Sequence, residues 1–310
     1  MKTLSIVTTV FNEESNVTEL LSELSEVMQG QSYEIIVVDD GSRDATLETL
    51  LKYQNEHVTV VELTTNYGQS AALAAGIAQA SGKYVATMDG DLQNDPADIL
   101  PMLKILESKN CDIVVGNRHK RKDNFIRKIP SKIANFIIRS STKVQINDIG
   151  CTLKVMKRNF AVDLGLYGEM HRFIPVLAAL QGARIVQVDV NHRPRKYGTS
   201  KYGLTRTFRV LSDLLLVLFF QKFMKRPMHL FGLWGILILL VGVVINGYMI
   251  YLKLLGADIW GKPLLLLGIL CVIAGIQFIT IGIFAEILIR TYYESQKKKT
   301  YYIRNIHSKQ

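Results

Sequence analysis

No two of the 22 glycines in this 310-residue chain are separated by a single residue. A G-x-G-x-x-G turn is therefore absent, which removes the dinucleotide-binding fingerprint and the dehydrogenase chemistry that goes with it. Ser81-Gly82-Lys83 looks like the end of a phosphate loop. Tyr84, however, stands where Ser or Thr is required, and no upstream glycine has the right spacing, so a P-loop ATPase is excluded as well. Cysteine is scarce. Cys111, Cys151 and Cys271 show neither paired nor metal-type spacing, which fits a reducing compartment. A secretory signal is also missing: MKTLSIVTTVFNEE has only a short apolar run, meets acidic residues early and lacks a small-residue cleavage pattern. It reads as a first β-strand.

Charge is missing from two long stretches. Leu230–Leu252 and Pro263–Ala285 each run 23 residues without Asp, Glu, Lys or Arg. Each is long enough to cross a hydrocarbon core of about 30 Å. Lys222, Lys225 and Arg226 precede the first, and Arg290, Lys297, Lys298, Lys299 and Arg304 follow the second, whereas the connecting KLLGADIWGK carries only two lysines against Asp258. The positive-inside rule then places both ends in the cytoplasm and the short loop outside. The formal net charge of +10 suits a protein held against anionic lipid. Because the basic residues cluster beside the apolar runs, nucleic acid is not the expected partner. Glycines recur every seven residues, at Gly235 and Gly242 and at Gly268, Gly275 and Gly282, so each set lines one helical face and lets a neighbouring helix approach closely. That neighbour is either the other span or a helix of a second subunit, so a homo-oligomer is allowed. Between Gly203 and Arg226, LTRTFRVLSDLLLVLFFQKFMKR is apolar with basic ends, as helices lying in a membrane interface are.

The remainder alternates strand and helix. LSIVTTVF, YEIIVVDDGS, VTVVEL, KYVATMD and CDIVVGNR are β-branched runs that end in polar residues. Between them lie helical patterns, the first with Val17, Leu20, Leu21, Leu24 and Val27 on one face. Such alternation predicts a mainly parallel sheet with helices on both faces, with ligands beyond the carboxyl ends of the strands. Two acidic clusters, Asp39-Asp40 and Asp89-Asp91, fall at such ends. In YVATMDGDLQNDP, residues two apart on an extended chain share a face, so Asp89 and Asp91 converge, and Gln93 follows if the chain stays extended. Converging carboxylates repel unless a cation lies between them, and Mg²⁺ or Mn²⁺ prefers such oxygen ligands. The other reading is a strand end followed by an Asp-rich turn.

Six blocks in order carry a resemblance: TTVFNEESN, VVDDGSRDAT, NYGQSAALAAGIAQASGKYVATMDGDLQNDP, VGNR, DIGCTLKVMKR and RKYGTSKYG. Followed by two spans, they resemble the polyprenyl-phosphate glycosyltransferases of glycosyltransferase family 2, the group of dolichol-phosphate mannose synthases and bacterial undecaprenyl-phosphate sugar transferases. The resemblance implies a GT-A type α/β domain over 1–203, interfacial helices over 204–228, a transmembrane hairpin over 229–290 and a cytosolic basic tail over 291–310. It implies a multi-pass protein of the inner (plasma) membrane. Thr9, Phe11, Glu13, Val38 and Asp40 would hold the nucleotide base and ribose. Asp89, Gly90 and Asp91 would hold the phosphates, with Asp89, Asp91 and Gln93 at a Mg²⁺ or Mn²⁺ ion. Arg118 would meet the diphosphate or the acceptor phosphate, and Arg195 and Lys201 belong to the acceptor loop. Asp148 is either a sugar contact or a turn residue before Gly150. Glu169 either orients His171 and Arg172 or contacts a sugar hydroxyl, and His171 itself reads as structural. Two positions depart from the pattern. Thr9 replaces the usual proline, which bears on base contacts, and Gly90 replaces alanine, which should loosen the backbone there.

The resemblance implies inverting transfer of a hexose from a nucleotide sugar to polyprenyl phosphate. GEMHRFIPVLA favours a UDP-sugar, UDP-glucose or UDP-N-acetylglucosamine, with GDP-mannose as the alternative. A processive polysaccharide synthase would carry Q-x-x-R-W and more spans. A transporter would carry ionisable residues inside its spans. A non-catalytic scaffold would not need an intact D-x-D.

Overall fold

The computed structural model describes residues 2–118, 146–166, 168, 170–194, 196, 227–295 and 301–308. The chain forms two compact units, Met1–Leu215 with Lys299–Gln310, and Leu216–Lys298.

In the first unit, eight strands among the described residues form one sheet in the order β7-β5-β6-β4-β1-β2-β3-β8. β1 (Leu4–Val10), β2 (Tyr33–Asp39), β3 (Val58–Leu63) and β4 (Tyr84–Asp89) are its parallel centre. They are joined by α1 (Val17–Val27), α2 (Thr46–Tyr53) and α3 (Gln69–Gln79). Beyond β4 come α4 (Ile99–Ser108), β5 (Ile113–Asn117), β6 (Lys154–Lys157), α5 (Arg158–Val162), α6 (Ile174–Leu180) and β7 (Ile185–Asp189). β6 runs antiparallel between β4 and β5, and β5 pairs in parallel with β7. The mainly parallel sheet expected from the alternation is present.

Both faces of the central strands are apolar because both are covered. Ile6, Ile35 and Val37 join the cluster that contains Leu20, Leu21 and Leu24 of α1. The intervening Val7 and Val38 turn to the opposite face and meet α3. That contact is unusually close: a Cβ added at Gly76 would lie 2.4 Å from Val7 Cγ1 and 2.9 Å from Val38 Cγ2. The Ala-rich sequence of α3 and its one glycine therefore let a helix lie low on two valine strands.

The C-terminal tail, read from sequence only as basic, supplies β8 (Ile303–His307), which pairs antiparallel with β3. The buried Glu62 of β3 receives hydrogen bonds from Arg304 Nη1 at 3.0 Å and Asn305 Nδ2 at 3.2 Å.

In the second unit, α7 (Pro227–Leu254) and α8 (Pro263–Ser295) form a hairpin. Both contain stretches long and apolar enough to cross a membrane, Phe231–Leu254 and Pro263–Ala285. Large apolar side chains such as Leu240, Val244, Ile273 and Ile276 are exposed, a surface suited to lipid rather than water. The glycine stripe faces the partner helix. A Cβ at Gly235 would stand 2.9 Å from the Gly275 carbonyl oxygen, and one at Gly242 would stand 2.9 Å from that of Gly268. The falling partner numbers show that the helices are antiparallel. Gly282, a further seven residues along, is buried as well. The expected interfacial helices over 204–228 lie almost wholly outside the described residues.

Two substitutions test these contacts. Gly76→Ala improves helix propensity by about 1 kcal/mol, but overpacking against Val7 and Val38 costs about 1–3 kcal/mol. Net destabilisation is expected in thermal unfolding of the full-length protein. Gly275→Leu should separate α7 from α8, read as loss of a crosslink between cysteines placed across the hairpin, while nucleotide binding by the first unit stays unchanged.

Candidate active site

The register pairs Thr9 of β1 with Val38 of β2 on one side and with Asp89 of β4 on the other. Both acidic clusters therefore open at the same carboxyl edge of the sheet, where open α/β sheets bind ligands.

β4 stops at Asp89, so the extended alternation expected through Asp91 and Gln93 is not what brings the acids together. The chain bends after Asp89, and Leu92, buried, takes a left-handed φ of 60°, which is uncommon for a bulky side chain. Burial first, and the charge of Asp91 second, push the Asp89 carboxyl well above the ordinary carboxylate range. The bend is tied at several points. Gln93 N donates to Asp91 Oδ1 at 3.2 Å, and Gln69 Nε2 donates to Asp89 Oδ1 at 2.5 Å. The buried Asn94 accepts from Thr152 Oγ1 at 2.9 Å. Gly90 has a packing reason beside the looseness expected from sequence. A Cβ there would come within 2.5 Å of Val10 Cγ1 and 3.1 Å of the Thr9 carbonyl oxygen, so the glycine permits close approach to β1.

A cation sits beside this bend within the fold itself. Lys154 of β6 is fully buried, opposite Thr87 of β4, and its ammonium donates to the Cys151 carbonyl. Burial lowers its pKa to about 8, and the negative charge of Asp89 resists the fall. With Thr9, Gln69, Asp89, Thr152 and His171 it lines a small crevice. His171 is tied twice to Ser70: its backbone N donates to Ser70 Oγ at 3.0 Å, and its Nδ1 shares a hydrogen bond with the same hydroxyl at 2.9 Å.

Arg118 and Asp148, two separate candidates in the sequence, form one unit. Nε donates to Asp148 Oδ2 at 2.6 Å and Nη2 to Oδ1 at 2.9 Å. Burial opposes the guanidinium charge, but Asp148 more than offsets it and raises the Arg118 pKa. Gly150 leaves room for this fork, since a Cβ there would stand 3.3 Å from Arg118 Nη2.

The candidate base-contacting residues are more mixed. Thr9 reaches the crevice, and Phe11 is half-buried near the same edge. Val38 is fully buried against α3, so no side-chain surface is left for a ligand. Asp40 is buried, with its oxygens accepting from Tyr67 N at 2.8 Å and Gly68 N at 2.9 Å. Burial still raises its pKa to about 6 against those bonds. Its carboxylate thus clamps the loop after β3. Glu13 accepts from Asn16 Nδ2 at 2.5 Å at the start of α1. Glu169, Arg195 and Lys201 lie outside the described residues.

Among the described residues, no group of three or more His, Cys, Asp or Glu side chains could hold a metal ion. A cation at the bend would take two carboxylates and the Gln93 amide, the rest coming from water and substrate phosphates, as Mg²⁺ and Mn²⁺ commonly do. The all-oxygen donor set and the strained ionisation of Asp89 fit such a group.

This layout is that of a GT-A type glycosyltransferase. The same fold is found in glucosyl-3-phosphoglycerate synthase from Mycobacterium tuberculosis, solved with Mn²⁺, UDP and glucosyl-3-phosphoglycerate. The TM-score is 0.57 at 17% identity, over 71% of this chain and 80% of that one. Residues 5–165 match the model of Glycosyl transferase family 2, and the chain belongs to that family. It is 44% identical to the dodecaprenyl-phosphate galacturonate synthase of Rhizobium johnstonii, over 98% of this chain and 92% of the relative. It is 33% identical to the undecaprenyl-phosphate 4-deoxy-4-formamido-L-arabinose transferase of Proteus mirabilis, over 98% and 93%.

Gln69, Asn94 and Lys154 were not singled out from sequence as site residues. Lys154 carried a signal, a lone charge inside the apolar run LKVM, and Asn94 directly follows Gln93 in the acidic bend. Nothing local marks Gln69, which reaches Asp89 only through the packing of α3.

The Arg118–Asp148 fork generates a test. Asp148→Ala leaves a mostly buried guanidinium unpaired and should cost about 3 kcal/mol. In a double-mutant cycle with Arg118→Ala, the second substitution should add little to the loss of kcat/KM. Additive losses would mean that the two residues act separately.

Proposed function

We propose that this protein transfers a sugar from a nucleoside diphosphate sugar to a polyprenyl phosphate at a membrane, by direct displacement with inversion. The observation that carries the reading is the extent of the similarity. Both relatives match over 98% of the chain, apolar hairpin included. Their names differ in the sugar and agree on a polyprenyl phosphate.

A divalent cation held by Asp89, Asp91 and Gln93 would neutralise the charge that grows on the leaving diphosphate. The rest falls to the protein's own groups. Arg118, aimed by Asp148, offers a fixed guanidinium suited to phosphate oxygens. Arg195 and Lys201 serve the acceptor phosphate. That phosphate is already anionic near neutral pH, its second pKa being about 6, so no side chain need remove a proton from it. The work left is alignment and exclusion of water.

We read 1–203 as the catalytic domain, 204–228 as interfacial helices, 229–290 as a two-pass hairpin and 291–310 as the returning tail, on the cytoplasmic side of the inner membrane. Chain connectivity supports two crossings. β8 follows α8 yet belongs to the same sheet as β1, so the chain leaves and re-enters one folded unit. A UDP-sugar is the favoured donor. The galacturonate in the name of the R. johnstonii relative supports trying a UDP-hexuronate beside UDP-glucose and UDP-N-acetylglucosamine, with GDP-mannose as the comparison.

The test incubates purified full-length protein with each nucleotide sugar and undecaprenyl phosphate, and follows the glycolipid. Transfer from one UDP-sugar is expected, lost in chelator. Asp91→Asn should lower turnover by at least about 100-fold with no change in Tm. Undiminished transfer in excess chelator would remove the metal from the mechanism.

A further inference from the structure

The bend after Asp89 is built partly from a distant piece of chain. Residues Asn191–Arg193 lie antiparallel beside it, through a bridge between Asn94 and His192. Arg193 N donates to the carbonyl oxygen of Gln93 at 2.8 Å, and Asn191 N donates to Asp98 Oδ2 at 2.7 Å. Three successive residues therefore grip the stretch that runs from the candidate metal ligand Gln93 to the start of α4.

The Arg193 side chain fixes this strip in place. Its Nη1 donates to both oxygens of Glu23 on α1, at 2.9 and 2.8 Å, and its Nη2 pairs with Asp95 Oδ1 at 3.0 Å. Asp95 Oδ1 also accepts from Ala97 N at 3.1 Å, which caps the single helical turn that follows the bend. One guanidinium thus joins three elements: α1, the turn after the bend, and the strip leading to Arg195. Lys196 adds a second tie to the same helix, donating to the two oxygens of Glu19 at 2.7 and 2.9 Å. Glu19 and Glu23 are one helical turn apart and so lie on one face of α1. A planar fork with several donors bridges two carboxylates in fixed directions, which the freely rotating donors of an ammonium do less well.

We propose that Arg193 is a positioning residue of the metal and diphosphate bend. Through its backbone contact with Gln93 and its side-chain bridge from Glu23 to Asp95, it holds Gln93 and Asp91 in the arrangement that receives a divalent cation with the donor diphosphate. It touches no reacting group. The proposal rests on the metal-dependent transfer put forward above.

The test uses full-length protein in detergent and two readouts independent of turnover. The first is amide hydrogen exchange over residues 89–98 without metal or donor. The second is Mn²⁺ affinity in the presence of UDP, from the loss of the free-ion electron paramagnetic resonance signal. Arg193→Ala should speed exchange in that stretch and weaken Mn²⁺ binding by about tenfold, equivalent to about 1.4 kcal/mol. Arg193→Lys should recover part of the affinity. Glu23→Gln should weaken binding in the same direction, and combining it with Arg193→Ala should add little. A residue that only supported the fold would lower Tm and leave Mn²⁺ affinity and local exchange at their wild-type values; that result overturns the proposal. Failure of wild type to bind Mn²⁺ with UDP would overturn the metal reading itself, and this role with it. Loss of turnover in Arg193→Ala with normal Mn²⁺ affinity also overturns it.

Discussion

Two carboxylates held together at the end of a strand are the constraint around which this domain is arranged. Asp89 and Asp91 repel each other and are partly withdrawn from water, so the surrounding structure has to resist both their separation and their protonation. The resistance comes from several sides. Gln69 donates from α3, Lys154 contributes charge from β6, Asn94 ties the bend to Thr152, and Arg193 joins it to α1. These groups compensate the two negative charges only in part, and under the proposed function a divalent cation would complete the balance.

The compensating groups come from chain segments far apart in sequence, and this decides what a reader of the sequence can see. Strand and helix periodicities are local. The alternation β1-α1-β2-α2-β3-α3-β4 was therefore legible in the β-branched runs and in the Val17, Leu20, Leu21, Leu24 spacing, and so were the acids at two strand ends. The cause of their convergence was not. β4 ends at Asp89 and the chain bends from Gly90 onward, where the sequence suggests continued extension, and backbone conformation at single residues leaves no periodic trace. Arg118 and Asp148 were each legible as charged residues in characteristic blocks. Their pairing spans 30 residues and needed coordinates. Asp40 has a role that no local pattern shows: its oxygens accept from the backbone of Tyr67 and Gly68, across 27 and 28 residues.

The apolar hairpin was easier to read because lipid imposes a simpler rule. Without a hydrophobic driving force between helices, close backbone approach is the available attraction, and it requires small residues in register. Gly235 with Gly275, and Gly242 with Gly268, meet that requirement. In the first unit Gly76 and Gly90 serve the same need, contact without a Cβ between, but each stands alone and forms no repeat by which to find it.

β8 is made last and belongs to a sheet whose other strands are made first. While the ribosome is still producing residues before 303, β3 is an open sheet edge and Glu62 lacks the Arg304 that meets it. Both apolar helices have been synthesised by that time. The sheet is therefore completed only after the hairpin that precedes β8 has been synthesised. Until then β3 is an unpaired edge, the kind that recruits other chains. Completion of the sheet rests in this way on five residues that follow the hairpin in the sequence.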